Sequence, residues 1–502
     1  MSKLLPDEHR AMLDARPPGE TMDEMLAATG GFGRLQMLVT CAAFCAWVVH
    51  GAQVMVMAFV GPAAAVEYAS EGAVMKLTGS FFFAGWLLGL TLWGRLAAKR
   101  GWLAAFVVIE CCVAVSGLFT ACAASGQQYL ASRFLCGFFE GGVPTTIFGW
   151  AGEFLLPADK PRAGVVMQMG FKVGSLLVTY GAYLGGSEHW RLLSGCVSLC
   201  AVPLAALVWV VPESPRWLLR NGHLAKSKKV LALIARVNGK PSTVLDSPLA
   251  RPAEQPSPAW MSPSRQDGSS SDDGGSEEQE REWPLRPSLR PGAPKPSFLS
   301  LLASDAELRR VMAVLCFHWF VYSALFFGLS LHEAHNLTET AISVCLQIPA
   351  LVITGACFDR VGRRTTMLVL LTGASAACAA IAIADATSMH FGKRFHEALS
   401  TVGMVLMAGA FSGGYVLTSE LLPTDVRAMG LATCSQCSRV GGFFSPLLLL
   451  LDESNAAVPY ALWAALTLSA GLATLQLPET LGQASLESLD DLHALLARKA
   501  RG

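Results

Sequence analysis

The stretch from Gly355 to Arg364 places one aspartate and three arginines between two long apolar runs. Charged side chains are costly inside the hydrocarbon core of a bilayer, whereas a short turn between two spanning helices keeps them at the membrane surface. The stretch from Gly94 to Gly101 stands in the same relation to its own flanking apolar runs. The pattern predicts a membrane protein whose helices are joined by tight charged turns.

These turns belong to a set of motifs that occurs twice. Gly94 corresponds to Gly355, the segment from Glu153 to Gly164 corresponds to that from Glu420 to Gly430, and Pro212-Glu213 corresponds to Pro478-Glu479. The offset stays at roughly 260 to 266 residues for all three pairs, which is typical of two homologous halves. We therefore expect a doubled membrane bundle.

The composition agrees with a membrane location. Of the 502 residues, 52% are hydrophobic and only 15% are charged, which is too apolar for a soluble globular protein. The net charge of zero argues against a nucleic-acid partner. The 14 cysteines fall almost entirely within apolar runs, and the C-x-x-C of Cys434 and Cys437 lies in a predicted membrane helix, so we expect no metal centre or cofactor.

Apolar runs of about 20 residues are long enough to cross a bilayer as helices. The sequence predicts an all-α membrane protein with twelve transmembrane helices in two pseudo-symmetric six-helix bundles. The predicted spans are 35–62, 78–97, 102–123, 128–151, 163–186, 191–211, 311–332, 339–358, 365–386, 397–419, 428–451 and 456–477. The domains are an N-terminal tail 1–34, a first bundle 35–211, a linker 212–310, a second bundle 311–477 and a C-terminal tail 478–502.

Basic residues are concentrated in alternate loops, and the positive-inside rule places those loops and both termini in the cytoplasm. Lys393 and Arg394 are an exception, because they would lie outside.

In the linker, Leu218 to Val237 suggests an amphipathic helix on the inner leaflet. Its charged face could contact lipid or could merely be solvated, and both alternatives remain open. The Pro-, Ser- and acid-rich stretch at about 241–297 has too few apolar residues to fold, so we expect it to be disordered.

The charged turns could form a cytoplasmic latch for alternating access. Asp359 could cap a neighbouring helix or pair with an arginine across the two halves, although a plain anchoring turn is the alternative. Glu153 and Glu420 could pair bidentately with nearby arginines at the inner ends of the fourth and tenth helices. The latch candidates are Arg95, Lys99, Glu153, Arg162, Asp359, Arg360, Arg363, Arg364, Glu420 and Arg427.

The turn G-x-x-x-D-R-x-G-R-R and the sequence from Pro212 to Leu218 resemble the major facilitator superfamily. Within it, the chain resembles the organic cation, organic anion and carnitine transporter family of solute carriers. The motifs that carry this second resemblance are Gly30 to Gln36, Glu420 to Arg427, Ser438 to Gly442 and Leu477 to Thr480. The resemblance implies two six-helix bundles around a central cavity and polyspecific transport of small organic ions.

The chain departs from that family in two places. Only about fifteen residues, Ala63 to Leu77, join the first two helices, where the family usually carries a large cysteine-bearing domain. Ala98 occupies the aspartate position of the first-half turn. These departures keep open an alternative function, a non-transporting receptor or scaffold that retains the transporter fold.

Arg439 is the leading candidate for substrate binding, because polar groups within spanning helices are costly. The family tends to hold arginine at this place in anion and carnitine transporters and aspartate in cation transporters, so the resemblance favours an anionic or zwitterionic substrate. An internal ion pair or a helix-end arginine is the alternative. Leu351 weakens the preference, because anion transporters of the family commonly place a second basic residue there.

The remaining cavity candidates are polar or aromatic residues of the predicted spans. We expect Lys172 and Glu140 to form a pair, His50 with Gln53 and His318 with Tyr322 to share helix faces, and either histidine to shuttle protons or simply pack. Flat organic ions could stack on aromatic rings. The candidates are Lys172, His50, Gln53, Glu140, His318, Trp319, Tyr322, Phe326, Phe327, Gln347 beside Pro349, and Tyr415.

The leading prediction is therefore a secondary-active or facilitative transporter, whose partners are a small organic ion as substrate and the lipid bilayer. It would move an organic anion or zwitterion by rocking the two halves about a central site, in the plasma membrane. The sequence holds no P-loop for an attached ATPase. It also offers no nucleophile, base and orienting group in a plausible arrangement, so we do not expect an enzyme.

Overall fold

The computed structural model describes residues 22–68, 77–185, 187–206, 210–241, 298–333, 337–387, 392–453, 455–483 and 486–501. The predicted disordered stretch of the linker lies outside these residues. The described ranges are built from α-helices, with short 3-10 turns at Ser187–His189 and Leu450–Glu453.

The first half begins with a short helix and then forms the first bundle. Two further helices follow the bundle. In order they are α1 Met22–Ala28, α2 Arg34–Glu67, α3 Thr78–Arg100, α4 Trp102–Ala121, α5 Gly126–Glu140, α6 Val143–Gly152, α7 Lys160–Gly185, α8 Trp190–Leu199, α9 Ala201–Ala205, α10 Pro215–Arg220 and α11 Leu224–Val237.

The second half repeats this plan and ends in a C-terminal helix. In order its helices are α12 Phe298–Ser304, α13 Ala306–Glu333, α14 Leu337–Val361, α15 Arg363–Ala386, α16 Lys393–Leu421, α17 Thr424–Leu449, α18 Ala457–Thr474 and α19 Leu489–Arg501. Eight of the described helices are long and apolar enough to cross a membrane, namely α2, α3, α4, α13, α14, α15, α16 and α18.

The other four spans are polar or interrupted. Helices α7 and α17 carry Lys172 and Arg439 in their middle parts, and the sixth span is made of α8 and α9. The fourth span, expected to be continuous over 128–151, is divided into α5 and α6. Pro144 has no N–H to offer the carbonyl of Glu140, and two glycines precede it, so the helical hydrogen bonds stop there. The break leaves Glu140 as the last residue of α5.

The helix contacts show the duplication directly. In the first half α2 packs along α7, α3 along α5, and α4 along α8 and α9. The second half repeats these pairings with α13 along α17, α14 along α16, and α15 along α18. The halves meet through α3 against α17 and α7 against α14, which are also equivalent pairs. The expected two pseudo-symmetric bundles are therefore confirmed.

Glycines let the helices that carry the polar residues approach closely. A Cβ on Gly174 would lie 1.9 Å from the carbonyl oxygen of Val48, and one on Gly51 would lie 2.3 Å from that of Phe171. Small residues of this kind allow backbone contact between membrane helices. The close packing of α2 on α7 places His50 and Lys172 on one wall of the space between the halves.

The predicted amphipathic segment forms α10 and α11 rather than one helix. The buried side chains of α11, including Leu231 and Ile234, pack with Met25 and Leu26 of α1, so its apolar face contacts protein rather than lipid. Asn238, just beyond α11, accepts a hydrogen bond from the Leu35 N–H at 3.0 Å and donates to the Thr29 carbonyl at 3.0 Å. These contacts attach α11 to the start of α2.

Two of the basic turns, α10 and α11 lie at one end of the bundle, which we call the basic end. The turns have the same unusual backbone, because Gly101 has φ +104° and Gly362 has φ +105°. A carboxylate caps the helix that follows each turn. Glu213 accepts from the Leu103 N–H at 3.0 Å, and Glu479 accepts from the Arg363 N–H at 2.8 Å. The paired Pro-Glu motifs thus hold equivalent turns in the two halves.

Candidate functional site

A cavity lies between the two halves. Helices α2, α3, α6 and α7 line it from the first half, and α13, α14, α16 and α17 line it from the second. Much of its wall is aromatic. The aromatic residues are Trp47, Phe83, Trp86, Phe171, Phe326, Phe327, Phe411 and Tyr415.

Three nitrogen-bearing side chains supply most of the polar character of this wall. Lys172, Arg439 and His50 all line the cavity, together with Gln168 and two serines. In the parts of the chain that the structure describes, no aspartate or glutamate lines it. The cavity is therefore cationic as well as aromatic.

Lys172 bridges the two halves. Its ammonium donates to Gln347 Oε1 of α14 at 2.6 Å and lies 4.3 Å from the ring centroid of Phe326 in α13. The expected pairing of Lys172 with Glu140 is wrong, because Glu140 contacts His50 instead. Lys172 thus lies beside a neutral amide, and no carboxylate of the described residues pairs with it.

Arg439 faces the cavity from α17 and is 8% exposed. Its guanidinium lies 4.7 Å from the ring centroid of Trp86 across the interface between the halves. It donates to the carbonyl and the hydroxyl of Ser435 at 3.0 and 2.8 Å and interacts with the Tyr415 hydroxyl. Its Nε has no hydrogen-bond partner among the described residues, which leaves one buried donor available.

His50 connects the cavity to the interior of the first half. Its Nδ1 lies 2.7 Å from Glu140 Oε1, and the two side chains are 2% and 1% exposed. The imidazole makes edge contacts with the rings of Trp47 and Trp86, each with centroids 5.3 Å apart. Glu140 itself does not line the cavity, so its side chain lies behind this wall.

Several predicted residues lie behind the cavity wall as well. Gln53 donates to the Val197 carbonyl of α8 at 3.4 Å. His318 and Tyr322 share a helix face as expected, with ring centroids 5.8 Å apart, but His318 Nε2 lies 2.8 Å from the Ala470 carbonyl of α18. Trp319 donates to Thr418 at 3.0 Å. Of the twelve candidates, those on the wall are His50, Lys172, Phe326, Phe327, Tyr415 and Arg439.

Sequence reasoning missed several residues of the wall. Trp86 separates His50 from Arg439, and Phe83 packs against Phe327 across the halves, with ring centroids 4.6 Å apart and the ring planes tilted by 59°. Gln168 lies one helical turn from Lys172 on α7, so the spacing of these two polar residues was an available signal. Trp86 and Phe83 lie among many apolar residues of α3, where nothing in the sequence marks the inward face.

At the end of the cavity away from the basic end, the two halves touch. Ser80 of α3 donates to the Phe443 carbonyl of α17 at 2.8 Å. A Cβ on Gly79 would lie only 2.7 Å from Pro446 Cγ. The lining rings nearest this contact, Phe83 and Phe327, are 1% and 7% exposed. Toward the basic end, in contrast, the lining residues Trp47, Gln168 and Ser412 are partly exposed.

At the basic end of the first half, Glu153 is the centre of a polar cluster. Its carboxylate accepts hydrogen bonds from Ser214 and Arg220, and its backbone carbonyl accepts from Arg216 Nε at 2.9 Å. The expected partner Arg162 is exposed, as are Arg95 and Lys99. Burial raises the pKa of the neighbouring Glu213, against the opposing effect of the Ser214 and Leu103 N–H groups.

The second half has an equivalent cluster around Glu420. Arg363 donates to Glu420 through Nε and a terminal nitrogen, each at 3.1 Å, which is the bidentate pair with the turn that we expected. Asp359 lies 3.5 Å from Arg363 of the same half and is 77% exposed, so it does not reach across the halves. Arg427 donates to the Leu422 and Leu486 carbonyls, Arg364 to that of Leu475, and Arg360 is exposed.

Comparison with known proteins agrees with this architecture. The family model described as Major Facilitator Superfamily matches residues 42–446. The inward-open structure of the xylose transporter XylE from E. coli superposes with a TM-score of 0.66 at 16% identity, covering 92% of this chain and 99% of that chain. At this identity the likeness shows the fold alone.

Two curated relatives narrow the family. The chain is 27% identical over 430 residues to the organic cation transporter protein of Drosophila melanogaster, covering 84% of this chain and 72% of that protein. It is 28% identical over 421 residues to solute carrier family 22 member 13 of Homo sapiens, covering 83% and 68%. The chain therefore belongs to the major facilitator superfamily, as a multi-pass membrane protein with relatives in solute carrier family 22.

Proposed function

We propose that this protein is a secondary transporter that carries small aromatic organic anions, or zwitterions with an anionic group, across the membrane by alternating access. The observation that carries the proposal is the charge of the cavity. Lys172 and Arg439 both line it, and in the described part of the chain no carboxylate does. Two buried cations without a neutralising acid favour an anionic ligand over a cation.

The contacts of the two cations support this choice. Arg439 has an unpartnered Nε beside its stacking contact with Trp86, so it can donate to a carboxylate or sulfonate without giving up the Ser435 bonds. Lys172 is held by a neutral amide, so no neighbouring acid competes with an anionic ligand for its amino group. The surrounding rings offer flat apolar surface, and a planar substrate with one anionic group matches both features.

The contacts between the halves support alternating access. The halves touch through α3 and α17 at the end away from the basic turns, while Glu153 and Glu420 pair within their own halves. We propose that the cavity opens toward the basic end in this conformation, and that the transport cycle separates Ser80 from Phe443 and brings the basic ends together.

We also propose that the basic end and both termini are cytoplasmic and that the protein works in the plasma membrane. The support is the concentration of arginine and lysine at the basic end. An impermeant thiol reagent applied to intact cells tests the orientation, using single cysteines at Gln127 and Lys229 in a background without exposed cysteines. We expect labelling at position 127 and none at 229. Labelling of both from one side would contradict the proposed topology.

A flux assay in proteoliposomes tests the substrate class. Benzenesulfonate and phenyltrimethylammonium carry the same ring and opposite charges, and trimethylglycine represents zwitterions without a ring. We expect saturable uptake and counterflow of benzenesulfonate well above those of the cation. Arg439→Ala should abolish this uptake, because it removes the donor and the positive charge.

Arg191→Gln is a matched control. Arg191 also lies over a tryptophan, with its guanidinium 4.5 Å from the Trp190 ring centroid, but it is on α8 outside the cavity. The control should transport benzenesulfonate like the wild type. Preference for phenyltrimethylammonium would overturn the anion assignment, and saturable binding without counterflow of any of the three probes would favour the receptor function.

A further inference from the structure

A buried cluster of ionisable side chains lies directly behind the cavity wall in the first half. Its members are His50 of α2, Glu110 of α4, and Arg133 and Glu140 of α5, each at most 2% exposed. Only His50 reaches the cavity. Ionisable groups in a membrane helix are expensive to bury. An anion carrier that needs only Lys172 and Arg439 has no use for two buried carboxylates.

The geometry of the cluster leaves it incompletely satisfied. His50 Nδ1 lies 2.7 Å from Glu140 Oε1, while Glu140 Oε2 has no hydrogen-bond partner among the described residues. Arg133 contacts Cys136 through one nitrogen at 3.9 Å, and its other two nitrogens have no partner there either. Both Arg133 and Glu110 interact electrostatically with Glu140. Glu140 is thus the centre of the cluster.

One added proton would make this cluster electrically neutral. Arg133 is always positive. With both glutamates ionised and His50 neutral, the cluster has a net charge of −1, and a single added proton on either glutamate or on His50 brings it to zero. In a low-dielectric interior a balanced cluster is strongly preferred to a charged one. The proton then belongs to the coupled set of sites rather than to a single residue.

The cluster is coupled to the cavity through one ring. Trp86 makes an edge contact with His50 and presents its face to Arg439, at 5.3 Å and 4.7 Å respectively. Arg439 opposes a positive charge on His50, and Lys172 stands beside Phe171, which also contacts His50. The ionisable groups that face the pair from other helices are Arg439, Lys172 and Glu110, and those on α5 itself are Arg133 and Cys136.

We propose that the His50–Glu140 pair binds one proton that crosses the membrane together with the organic anion, so that the protein is an anion–proton symporter. The inference rests on the proposed transport of anions. An anion beside Arg439 cancels the positive charge that opposes proton uptake at His50, and by linkage a bound proton strengthens anion binding equally. One proton and one anion move in the same direction, no covalent bond changes, and the net charge transferred is zero.

A measurement without substrate tests the proton site. Infrared difference spectra of the full-length purified protein, recorded between acid and alkaline pH, detect a protonated carboxyl and an imidazole that change together. We expect these bands in the wild type and their loss in both Glu140→Gln and His50→Asn. Asp385→Asn is the control and should keep these bands. Asp385 and His396 form another histidine–carboxylate pair, with Oδ1 and Nε2 3.2 Å apart, but this pair lies at the ends of α15 and α16, away from the cavity.

A flux measurement tests the coupling. Benzenesulfonate is the probe, since a strong acid does not cross lipid as a neutral molecule and cannot carry protons by itself. An inward gradient should acidify liposomes that contain a pH-sensitive dye. With the outside one pH unit more acid, electroneutral symport should accumulate benzenesulfonate about tenfold, the equivalent of about 1.4 kcal/mol. Glu140→Gln balances the cluster without a proton, so both effects should disappear.

Glu110→Gln removes one negative charge from the cluster, as Glu140→Gln does, but from α4 instead of α5. The proton flux of this variant should fall as well. Thermal unfolding of each variant shows whether a loss reflects misfolding. Benzenesulfonate transport by the wild type without acidification and without dependence on the pH gradient would overturn the symport and leave the proposed anion transport standing. Proton flux that persists in folded Glu140→Gln would also overturn it. A wild type that does not transport benzenesulfonate would instead contradict the proposed function.

Discussion

The ammonium of Lys172 on α7 donates to the side-chain oxygen of Gln347 on α14 at 2.6 Å, so one buried hydrogen bond joins the two halves. The same ammonium lies over the Phe326 ring at 4.3 Å. One side chain is therefore part of both the cavity wall and the contact that has to change when the halves rock. Its removal should affect binding and turnover together.

Gln347→Glu should convert this hydrogen bond into a buried ion pair. A carboxylate beside Lys172 would cancel its charge toward an anion and hold α7 to α14 more tightly. We expect the KM for benzenesulfonate to rise about tenfold, equivalent to about 1.4 kcal/mol, and turnover to fall. Initial-rate uptake in proteoliposomes measures both. Gln436→Glu is the matched control, since Gln436 also bridges the halves through Thr91 at 3.1 Å. An equal rise in both variants would contradict a specific role for Lys172.

Gly362→Ala should destabilise the fold more than a glycine substitution elsewhere. Gly362 has φ +105° and ψ +156°, a region that costs a non-glycine residue roughly 1–3 kcal/mol. A Cβ would also lie 2.6 Å from Glu479 Oε2, which accepts from the Arg364 N–H, while Oε1 of the same carboxylate accepts from the Arg363 N–H. The midpoint of thermal unfolding in detergent measures the effect.

Substitutions at two other glycines distinguish backbone strain from the contact of the added Cβ with Glu479. Gly482 has φ +73° but no atom within 4 Å of its Cβ position, so Gly482→Ala reports backbone strain alone. Gly355 has neither a positive φ nor a close neighbour, and Gly355→Ala should be neutral. We expect the losses to rank Gly362, then Gly482, then Gly355. Equal losses at the first two positions would show that the contact with Glu479 does not matter.

Exchanging Arg363 and Glu420 tests the polar cluster of the second half. Each single charge reversal leaves two like charges facing each other, whereas the double reversal restores an ion pair. The two side chains are 15% and 30% exposed, so we expect a coupling energy of only about 1 kcal/mol, or about fivefold in transport rate. The same cycle on Glu307 and Arg310, which are 4.0 Å apart and about half exposed, should give no coupling. Additive losses at Arg363 and Glu420 would exclude this pair from the transport cycle.

Acid should loosen the C-terminal helix α19. Burial disfavours the charge on Asp305, but the Leu308 N–H and the adjacent His493 of α19 outweigh burial and lower the pKa of this carboxyl. A carboxyl whose pKa is lowered in the folded state stabilises the fold above its unfolded pKa. This stabilisation is lost as the pH falls through the folded value, so we expect the change below about pH 4.

Hydrogen exchange of α19 at a series of pH values measures this effect. The Asp305 Oδ2 to His493 Nε2 distance is 2.8 Å, so the contact is short enough for the charge to matter. Asp305→Asn should remove the pH dependence, while Asp385→Asn, which affects a histidine pair in the membrane part, should retain it. Identical pH profiles for the wild type and Asp305→Asn would contradict the prediction.

The sequence by itself determined the number of spans, the duplication and the family. Apolar length and charged turns are local properties, so runs such as 365–386 correspond closely to α15 at Arg363–Ala386. The break of the fourth span could also have been found, because Pro144 follows two glycines. The paired Pro-Glu motifs marked equivalent turns, although their role as caps of the following helices became visible only in the fold.

The tertiary structure alone decided which polar groups face the cavity and which partners they have. Lys172 was expected to pair with Glu140, yet it contacts Gln347, which is 175 positions away, and Glu140 contacts His50. Helices such as α2 and α4 are apolar on nearly all sides, so periodicity does not reveal which side faces the interior. The pairing of buried charges depends on how helices from distant parts of the chain pack, and that information is not present in any local stretch of the sequence.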